Sequence, residues 1–350
     1  MELLLYGDDG FFTGGGGAGR RADFITSPEI GPLFGAVVAA ALDEEWRRLG
    51  QPDPFVVVEA GAGRGALARA VLDARPACAP ALRYVCVERS QVLRERIAEV
   101  LPLELPRNVL GPASDGIDDE EAPRAQVVGP IVAVLDDLPL LPVTGVVLAN
   151  ELLDNVPVRL LERVGDGWSE VFVSKEGELL VAAPDDAAAE ADRLVPGAAP
   201  GARIPLQHEA ETWLRRALEL VRAGRVIVVD YADTTPSMAA RPWTEWLRTY
   251  RGHDRGGHPL DHPGEQDVTC EVAVDQLSRL RPPTTDTAQA DWLRTHGIDE
   301  LTAAARATWD ERAGIGDLEA MKARSRVNEA AALLDPTGLG AFRVLEWVID

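Results

Sequence analysis

The clearest pattern of hydrophobic residues begins at Phe55–Val58, where four apolar residues in a row precede the acid Glu59. A short run rich in β-branched residues is typical of a strand buried on both faces, as in a parallel sheet. Glycine then occupies every second position of Gly61–Gly65, and the apolar residues of 66–74 recur at helical spacing. Strand, glycine turn and helix in this order predict the nucleotide-binding opening of an α/β sheet.

Further apolar runs alternate with helical stripes along the rest of the chain. Strands are predicted over 83–88, 131–135, 146–149, 225–231 and 341–348, and helices from about 27 and over 91–101, 209–223 and 287–333, with Gly224 ending the helix at 223. Irregular segments are predicted over 102–130 and 236–267, and a flexible glycine tract over 14–17. Because strands alternate with helices, the sequence predicts a doubly wound α/β fold. Period-two alternation over 158–182 predicts short antiparallel strands. Residues 183–202 are predicted to form a surface excursion, and residues 268–280 a mostly helical segment.

The 350 residues are predicted to form three regions. Residues 1–52 form an N-terminal loop and a cap helix, for which either Ser27 with Pro28 or Thr26 with Glu29 provides the start signal. Residues 53–235 form the α/β core, with an antiparallel insertion around 158–205. Residues 236–350 form a lid or helical insertion and the closing strand.

The glycine loop has three interpretations. Dinucleotide-binding loops usually follow the spacing G-x-G-x-x-G, but here the third glycine comes one residue early and Glu59 precedes the loop by two. An acid directed into the loop repels a pyrophosphate and can accept hydrogen bonds from an ammonium group. A cationic nucleoside with an amino-acid tail, S-adenosylmethionine, therefore fits better, although an ordinary glycine turn remains an alternative.

Two more acids follow predicted strands and extend this candidate site. Glu88 lies 23 residues after Gly65, the spacing at which an acid binds ribose hydroxyls in this class of sheet. A ribose occurs in nicotinamide cofactors and in S-adenosylmethionine, so Glu88 supports the site without choosing between them. Asp136 follows the third strand. It either accepts a hydrogen bond from an adenine amino group or lies in a solvated loop.

A second polar group follows the strand at 146–149. Asn150, Glu151 and Asp154 come at its carboxyl end, where ligands bind in open α/β sheets. On a helical turn Glu151 and Asp154 would share one face. Two carboxylates there could hold a cation and accept a proton as a methyl group moves to nitrogen. The alternative is an acidic helix start, which is stabilising in itself.

The charge balance narrows the choice of partner. With 57 acidic against 35 basic side chains the formal charge is −22, which disfavours a nucleic-acid phosphate backbone. A basic protein or peptide is electrostatically favoured.

Cysteines and histidines show no metal-binding spacing. The three cysteines, at 78, 86 and 270, are scattered as in proteins of a reducing compartment. His253, His258 and His262 are close in sequence but lack the pair spacing of a zinc site, so a lid or substrate loop is favoured over metal. Because neither an 18-residue apolar run nor a signal-peptide pattern is found, we expect a cytoplasmic protein without a membrane span.

Several stretches together resemble the MidA family of methyltransferases. The most specific are Thr26-Ser-Pro-Glu-Ile30 and the Asn-Glu-x-x-Asp-x-x-Pro motif of 150–157. The other similar stretches are Met1–Tyr6, Asp23–Ile25, Phe34-Gly35, Glu59–Leu67, Asp230-Tyr231, Pro263–Thr269, Gln289–Leu293 and Gly297-Ile298.

The resemblance implies a class I, Rossmann-like, seven-stranded methyltransferase with added helical and small antiparallel elements, which methylates a protein arginine with S-adenosylmethionine. It implies that Glu59, the three glycines and Glu88 hold the cofactor, that Asn150, Glu151 and Asp154 line the acceptor side, and that Ser27 and Glu29 cap the pocket. A carboxylate pair suits the planar fork of a guanidinium.

Two departures from the family pattern concern the loop and the acceptor side. The loop reads Ala60-Gly-Ala-Gly-Arg-Gly65 where the family often has a proline, and Glu271-Val-Ala273 stands where it tends to have His-Val-Asp. Two other functions therefore stay open. One is a non-catalytic assembly factor of the same fold that binds a basic partner, and the other is a methyltransferase for a small molecule or peptide natural product.

Overall fold

The computed structural model describes residues 1–14, 16, 26–111, 128–174, 177–252 and 254–350. The strands, in chain order, are β1 (Phe55–Ala60), β2 (Leu82–Val87), β3 (Ile131–Leu135), β4 (Val143–Asn150), β5 (Arg159–Val164), β6 (Gly167–Ser174), β7 (Gly177–Ala182), β8 (Arg203–Leu206), β9 (Val221–Asp230), β10 (Ala232–Asp233), β11 (Leu247–Arg251), β12 (Asp254–Arg255), β13 (Asp267–Cys270), β14 (Val272–Ala273), β15 (Thr285–Ala288) and β16 (Arg343–Ile349).

The α-helices, in chain order, are α1 (Glu2–Tyr6), α2 (Ser27–Ile30), α3 (Pro32–Arg48), α4 (Ala66–Asp73), α5 (Gln91–Val100), α6 (Pro106–Leu110), α7 (Asp185–Leu194), α8 (His208–Leu220), α9 (Thr235–Ala239), α10 (Val274–Leu280), α11 (Gln289–Thr295), α12 (Ile298–Arg312) and α13 (Leu318–Leu333). Short 3-10 helices cover Ala79–Ala81, Leu153–Asn155, Trp243–Glu245 and Leu339–Ala341.

A seven-stranded sheet has the order β15-β16-β9-β4-β1-β2-β3. β1 runs parallel to both β2 and β4, β2 to β3, and β4 to β9, while β15 and β16 are antiparallel. The chain moves outward from β1 in one direction through β2 and β3, and in the other direction through β4 and β9. In such sheets the ligand crevice lies at the carboxyl ends of the two strands where the order reverses, here β1 and β4. The predicted doubly wound, mostly parallel sheet of seven strands is confirmed.

The chain groups into two compact units. The sheet unit comprises Ile25–Asn150, Ala217–Val229 and Thr284–Asp350, and the insertion unit comprises Met1–Phe24, Glu151–Arg216 and Asp230–Pro283. The sheet unit holds the seven-stranded sheet and one large apolar core. β1 and β2 are buried along their whole length, as their apolar runs predict.

Two glycines allow β1, β4 and β9 to approach one another at the start of the parallel strands. Gly145 on β4 pairs with Val56 on β1 and with Gly224 on β9. A Cβ on Gly145 would lie 2.0 Å from the Val56 carbonyl oxygen, and a Cβ on Gly224 would lie 1.8 Å from the Gly145 carbonyl oxygen. The prediction that Gly224 ends a helix at 223 is wrong, because the strand has already begun at Val221 and Gly224 lies inside it.

The predicted long helix near residue 27 is divided into α2 and α3 at Gly31. Glu329 of α13 occupies the space beside Gly31, where a Cβ would meet its carboxyl carbon at 2.2 Å. The Glu329 Oε2 accepts a hydrogen bond from Leu33 N at 3.0 Å and so caps α3. α2 begins with Thr26 at its N-cap, and neither predicted side-chain cap forms there.

The insertion unit is built from small antiparallel sheets and short helices. β7, β6, β5 and β8 form a four-stranded sheet, β12, β11 and β13 a three-stranded one, and β10 pairs with β14 in parallel. The predicted strands over 158–182 are confirmed. The predicted surface excursion over 183–202 is wrong in part, because Ala187, Ala191 and Leu194 bury one face of α7 in the core beneath the four-stranded sheet.

Long-range packing explains the other differences in secondary structure. The N-terminal segment, predicted as a loop, contains α1, whose Leu5 packs in a core with Trp246 and Cys270. The region 236–267, predicted to be irregular, contains α9, β11 and β12, and 268–280 begins with strands instead of helix. His253 and parts of the predicted glycine tract 14–17 and connection 102–130 lie outside the described residues.

None of the described helices is long and apolar enough to cross a membrane. Cys78, Cys86 and Cys270 are buried free thiols.

Because β4 and β9 lie close together at Gly224, a methyl group added at this position should strongly destabilise the fold. Gly224→Ala should lower the free energy of unfolding by about 2–4 kcal/mol, because the Cβ collides with backbone at a φ of +140°. Urea unfolding followed by circular dichroism measures this cost. Gly314→Ala is the matched control, since a Cβ there meets no atom within 4 Å. Equal stability of the two variants would contradict the packing described here.

Candidate active site

The glycine loop between β1 and α4 is held by its own hydrogen bonds. Gly61 N and Ala62 N donate to the Val87 carbonyl oxygen at 2.9 and 3.0 Å, and Gly65 N donates to the Ala62 carbonyl oxygen at 2.8 Å. Gly63 N donates to Glu88 Oε2 at 2.9 Å. Gly61, Gly63 and Gly65 have φ values of 73°, 55° and 77°, where glycine is favoured. Four N–H groups of the loop are therefore already used within the protein.

Glu88 supports the loop from the carboxyl end of β2. Its side chain is buried, and while Oε2 accepts from Gly63 N, Oε1 accepts from Ser90 N at 2.8 Å. Burial raises the pKa of Glu88, partly offset by these N–H donors. A buried carboxylate at the loop disfavours a phosphate there. Its predicted contact with ribose hydroxyls stays a prediction.

Glu59 is held by a tyrosine on the neighbouring strand. Tyr84 of β2 donates its hydroxyl hydrogen to Glu59 Oε2 at 2.7 Å. Glu59 is 4% exposed, and burial raises its pKa to about 7. The structure thus places Glu59 beneath the loop as part of the fold, and its contact with a ligand ammonium stays a prediction. The role of Tyr84 could not be predicted from the sequence, because it depends on the pairing of β1 with β2.

The other predicted cofactor residues differ in accessibility. Ser27 is fully buried, and its hydroxyl donates to Gln289 Oε1 at 3.2 Å, so it ties α2 to α11. Glu29 is half-buried on α2, and Asp136 is exposed just after β3. Asn150 is the last residue of β4. Along the loop itself there is room, because a Cβ on Gly63 would meet no atom of the described residues within 4 Å.

The acids that follow β4 adopt an unusual turn in the insertion unit. Glu151 has a φ of +51°, in the left-handed region that non-glycine residues seldom occupy, and the helical turn covers only Leu153–Asn155. The prediction that Glu151 and Asp154 share one helix face is therefore wrong. Strained backbone of this kind is concentrated at functional sites.

Asp230, at the end of β9, fixes this turn. Its Oδ2 accepts from Leu153 N at 3.0 Å and from Asp154 N at 3.3 Å, and its Oδ1 accepts from Tyr231 N. The Tyr231 hydroxyl donates to Asp154 Oδ2 at 2.5 Å. The other oxygen, Asp154 Oδ1, is buried and has no hydrogen-bond partner in the described part of the chain. Asp154 thus presents one oriented, unsatisfied acceptor.

Burial and like charge shape the titration of this cluster. Burial raises the pKa of Asp154 to about 6. Burial, together with the charges of Asp154 and Glu151, raises the pKa of Asp230 well above its ordinary value. Among the described residues neither Asp154 nor Asp230 forms an ion pair with an arginine or lysine. Asp230-Tyr231 is one of the stretches that resemble the family, but the sequence alone predicts no role for either residue.

The described residues contain no group of three or more His, Cys, Asp or Glu side chains arranged to hold a metal ion. His258 instead packs edge-on against Trp243, with ring centroids 5.6 Å apart.

A family model described as "putative S-adenosyl-L-methionine-dependent methyltransferase" matches residues 37–289. The chain belongs to this family. The match covers more than half of the chain, including the glycine loop and the acids after β4, and it confirms the family membership expected from the motifs.

Two curated relatives are protein arginine methyltransferases of the NDUFAF7 type, and the names of both include the word "mitochondrial". The Drosophila melanogaster homolog is 30% identical over 298 residues, 77% of this chain and 62% of the relative. The Homo sapiens protein is 29% identical over 303 residues, 80% of this chain and 63% of the relative. The chain thus spans less than two thirds of their length. The cytoplasmic location expected here stays a prediction.

A solved structure from Burkholderia thailandensis has the same fold. It is described as a "likely methyl transferase" bound to S-adenosyl-homocysteine, and it is 27% identical with a TM-score of 0.77, covering 100% of this chain and 87% of the other. This supports the class I methyltransferase fold assigned from the strand order.

The titration of Asp154 predicts a pH-dependent stability difference. The pKa of Asp154 is raised from 3.8 to about 6 in the folded protein. The free energy of unfolding therefore falls as pH rises from the lower to the higher of these values, and the loss is complete above the higher one. The free energy of unfolding of Asp154→Asn relative to wild type should increase by roughly 2–3 kcal/mol between about pH 4 and pH 7. Urea titrations at several pH values measure this difference.

Asp254→Asn is the control for that experiment, since Asp254 is an exposed carboxyl of the same unit. It controls for the removal of a carboxyl group from the surface of this unit. A difference between Asp154→Asn and wild type that did not vary with pH would mean that Asp154 is not buried as described.

Proposed function

We propose that this protein transfers a methyl group from S-adenosylmethionine to an arginine of a protein partner. The observation that carries the proposal is Asp154, whose carboxylate is buried, oriented by Tyr231 and left with one unsatisfied oxygen. The relatives named protein arginine methyltransferases support the same acceptor.

The glycine loop fits this cofactor better than a dinucleotide. A pyrophosphate needs free backbone N–H groups, whereas Gly61, Ala62, Gly63 and Gly65 donate theirs within the protein. The carboxylates of Glu59 and Glu88 lie at the same loop and favour a ligand with positive charge. The open face of Gly63 leaves space for the ligand backbone. When bound, S-adenosylmethionine supplies an electrophilic methyl group, and its transfer to a guanidinium nitrogen releases one proton.

The acid cluster complements the positive charge of a guanidinium. Asp154 and Asp230 are buried without an arginine or lysine partner in the described residues, so a cationic side chain would relieve their mutual repulsion. Since Tyr231 already donates to Asp154 Oδ2, we infer that one guanidinium N–H is accepted by Oδ1 and that a second is accepted by Glu151. The net charge of −22 favours approach of a basic protein surface.

Asp154 is also the group placed to take the proton. Its pKa of about 6 lies close to neutral pH, the range in which a carboxylate serves as a general base. Tyr231 keeps the carboxylate oriented, because burial raises the Tyr231 pKa well above its usual value and the hydroxyl stays protonated. In this proposal Glu151 binds the guanidinium, and Asp154 both binds it and accepts the proton.

Methyl transfer can be tested without knowing the partner. The purified protein is incubated with methyl-tritiated S-adenosylmethionine and an extract of cells that lack it, and the labelled product is mapped by mass spectrometry. We expect label on arginine of one or a few proteins, and a rate at least about 100-fold lower for Asp154→Asn. Asp254→Asn should label at the wild-type rate.

Label on another residue type or on a small molecule would contradict an arginine acceptor. Binding of the cofactor without any labelled product would favour a non-catalytic assembly factor.

A further inference from the structure

Arg64 is the one long side chain within the glycine loop. It lies between Gly63 and Gly65, and the remaining loop residues are glycine or alanine. Both flanking glycines have positive φ values, 55° and 77°, so the backbone that carries Arg64 is fixed by two positions that favour glycine. The loop therefore carries one positively charged side chain at a defined backbone position.

The Arg64 side chain has an unsatisfied buried donor. Its Nε is buried and has no hydrogen-bond partner within the described part of the chain. Buried donors are nearly always paired in folded proteins, and an unpaired one calls for a partner other than the described residues. Because this atom lies in the predicted cofactor loop, a bound ligand is the natural partner.

The acids at the loop form their hydrogen bonds with groups other than Arg64. Glu59 accepts from Tyr84, and Glu88 accepts from Gly63 N and Ser90 N. By contrast, the neighbouring Arg69 on α4 forms an ordinary ion pair with Asp73 at 2.7 Å. Arg64 thus keeps its guanidinium for another anion, in a chain whose net charge is −22.

The chemistry of the guanidinium selects that anion. Arginine binds planar carboxylates and phosphates through two parallel N–H groups. The loop has little to offer a phosphate, since four of its N–H groups are occupied. S-adenosylmethionine and its product carry one anionic group at neutral pH, the carboxylate of the amino-acid tail.

We propose that Arg64 binds the α-carboxylate of the cofactor's amino-acid tail. This inference rests on the cofactor of the proposed function and is independent of the methyl acceptor. It makes Arg64 a determinant of cofactor specificity, which distinguishes ligands with an amino-acid tail from plain nucleosides.

Calorimetry with two ligands tests this role. S-adenosylhomocysteine has the amino-acid tail, and 5′-methylthioadenosine has the same adenosine and thioether without it. Arg64→Gln should weaken S-adenosylhomocysteine about 10- to 100-fold, as expected for one charge-assisted contact, and change the affinity for 5′-methylthioadenosine less than about twofold. Arg64→Lys should fall between Arg64→Gln and wild type, because it keeps the charge and loses the fork.

Arg69→Gln is the matched control and should leave both affinities unchanged. Retained binding of 5′-methylthioadenosine by Arg64→Gln shows that the variant is folded. Equal S-adenosylhomocysteine affinity of Arg64→Gln and wild type, or equal losses for the two ligands, would overturn this inference alone. Failure of the wild type to bind S-adenosylhomocysteine would overturn the proposed cofactor and this inference with it.

Discussion

The organisation of both candidate sites depends on the need of buried carboxylates for hydrogen-bond donors. Removing a carboxylate from water is costly unless donors replace the lost water. Glu88 finds them in Gly63 N and Ser90 N, and Asp230 finds them in Leu153 N, Asp154 N and Tyr231 N. Each carboxylate therefore fixes the backbone that surrounds it. The glycine loop and the 151–155 turn owe their shapes to these bonds.

The same constraint separates two kinds of ligand. At the glycine loop four backbone N–H groups donate within the protein, and the site keeps carboxylates and one arginine with an unsatisfied Nε. Such a set matches a zwitterionic amino-acid tail better than a pyrophosphate. After β4, the unsatisfied group is an acceptor, Asp154 Oδ1, which matches a cationic side chain. These two complementary sets of groups are the basis of the proposed methyl transfer to arginine.

Local sequence patterns predicted the parallel sheet well because its strands are buried runs of β-branched residues. Phe55–Val58 and Ile131–Leu135 could be recognised without any knowledge of their neighbours. The same holds for the glycine loop, whose spacing reflects backbone angles. The family motifs added the acids after β4 to the candidate site.

Features that depend on distant contacts could not be predicted in this way. Gly224 resembled a helix stop, but its role is set by the carbonyl of Gly145 on the adjacent strand. α7 was missed because its buried alanines are a weak hydrophobic signal in a stretch rich in Asp and Pro. Tyr84 and Tyr231 meet their carboxylates only once β1 pairs with β2 and once the turn after β4 has formed.

A crystal structure of the chain with S-adenosylhomocysteine tests the central claim most directly. We expect the amino-acid tail to lie along the open face of Gly63, the ribose near Glu88, and the bonds of Gly61 N, Ala62 N and Gly63 N to Val87 and Glu88 to stay intact. The account would be contradicted if the nucleoside bound elsewhere, or if these N–H groups turned from their protein acceptors to the ligand.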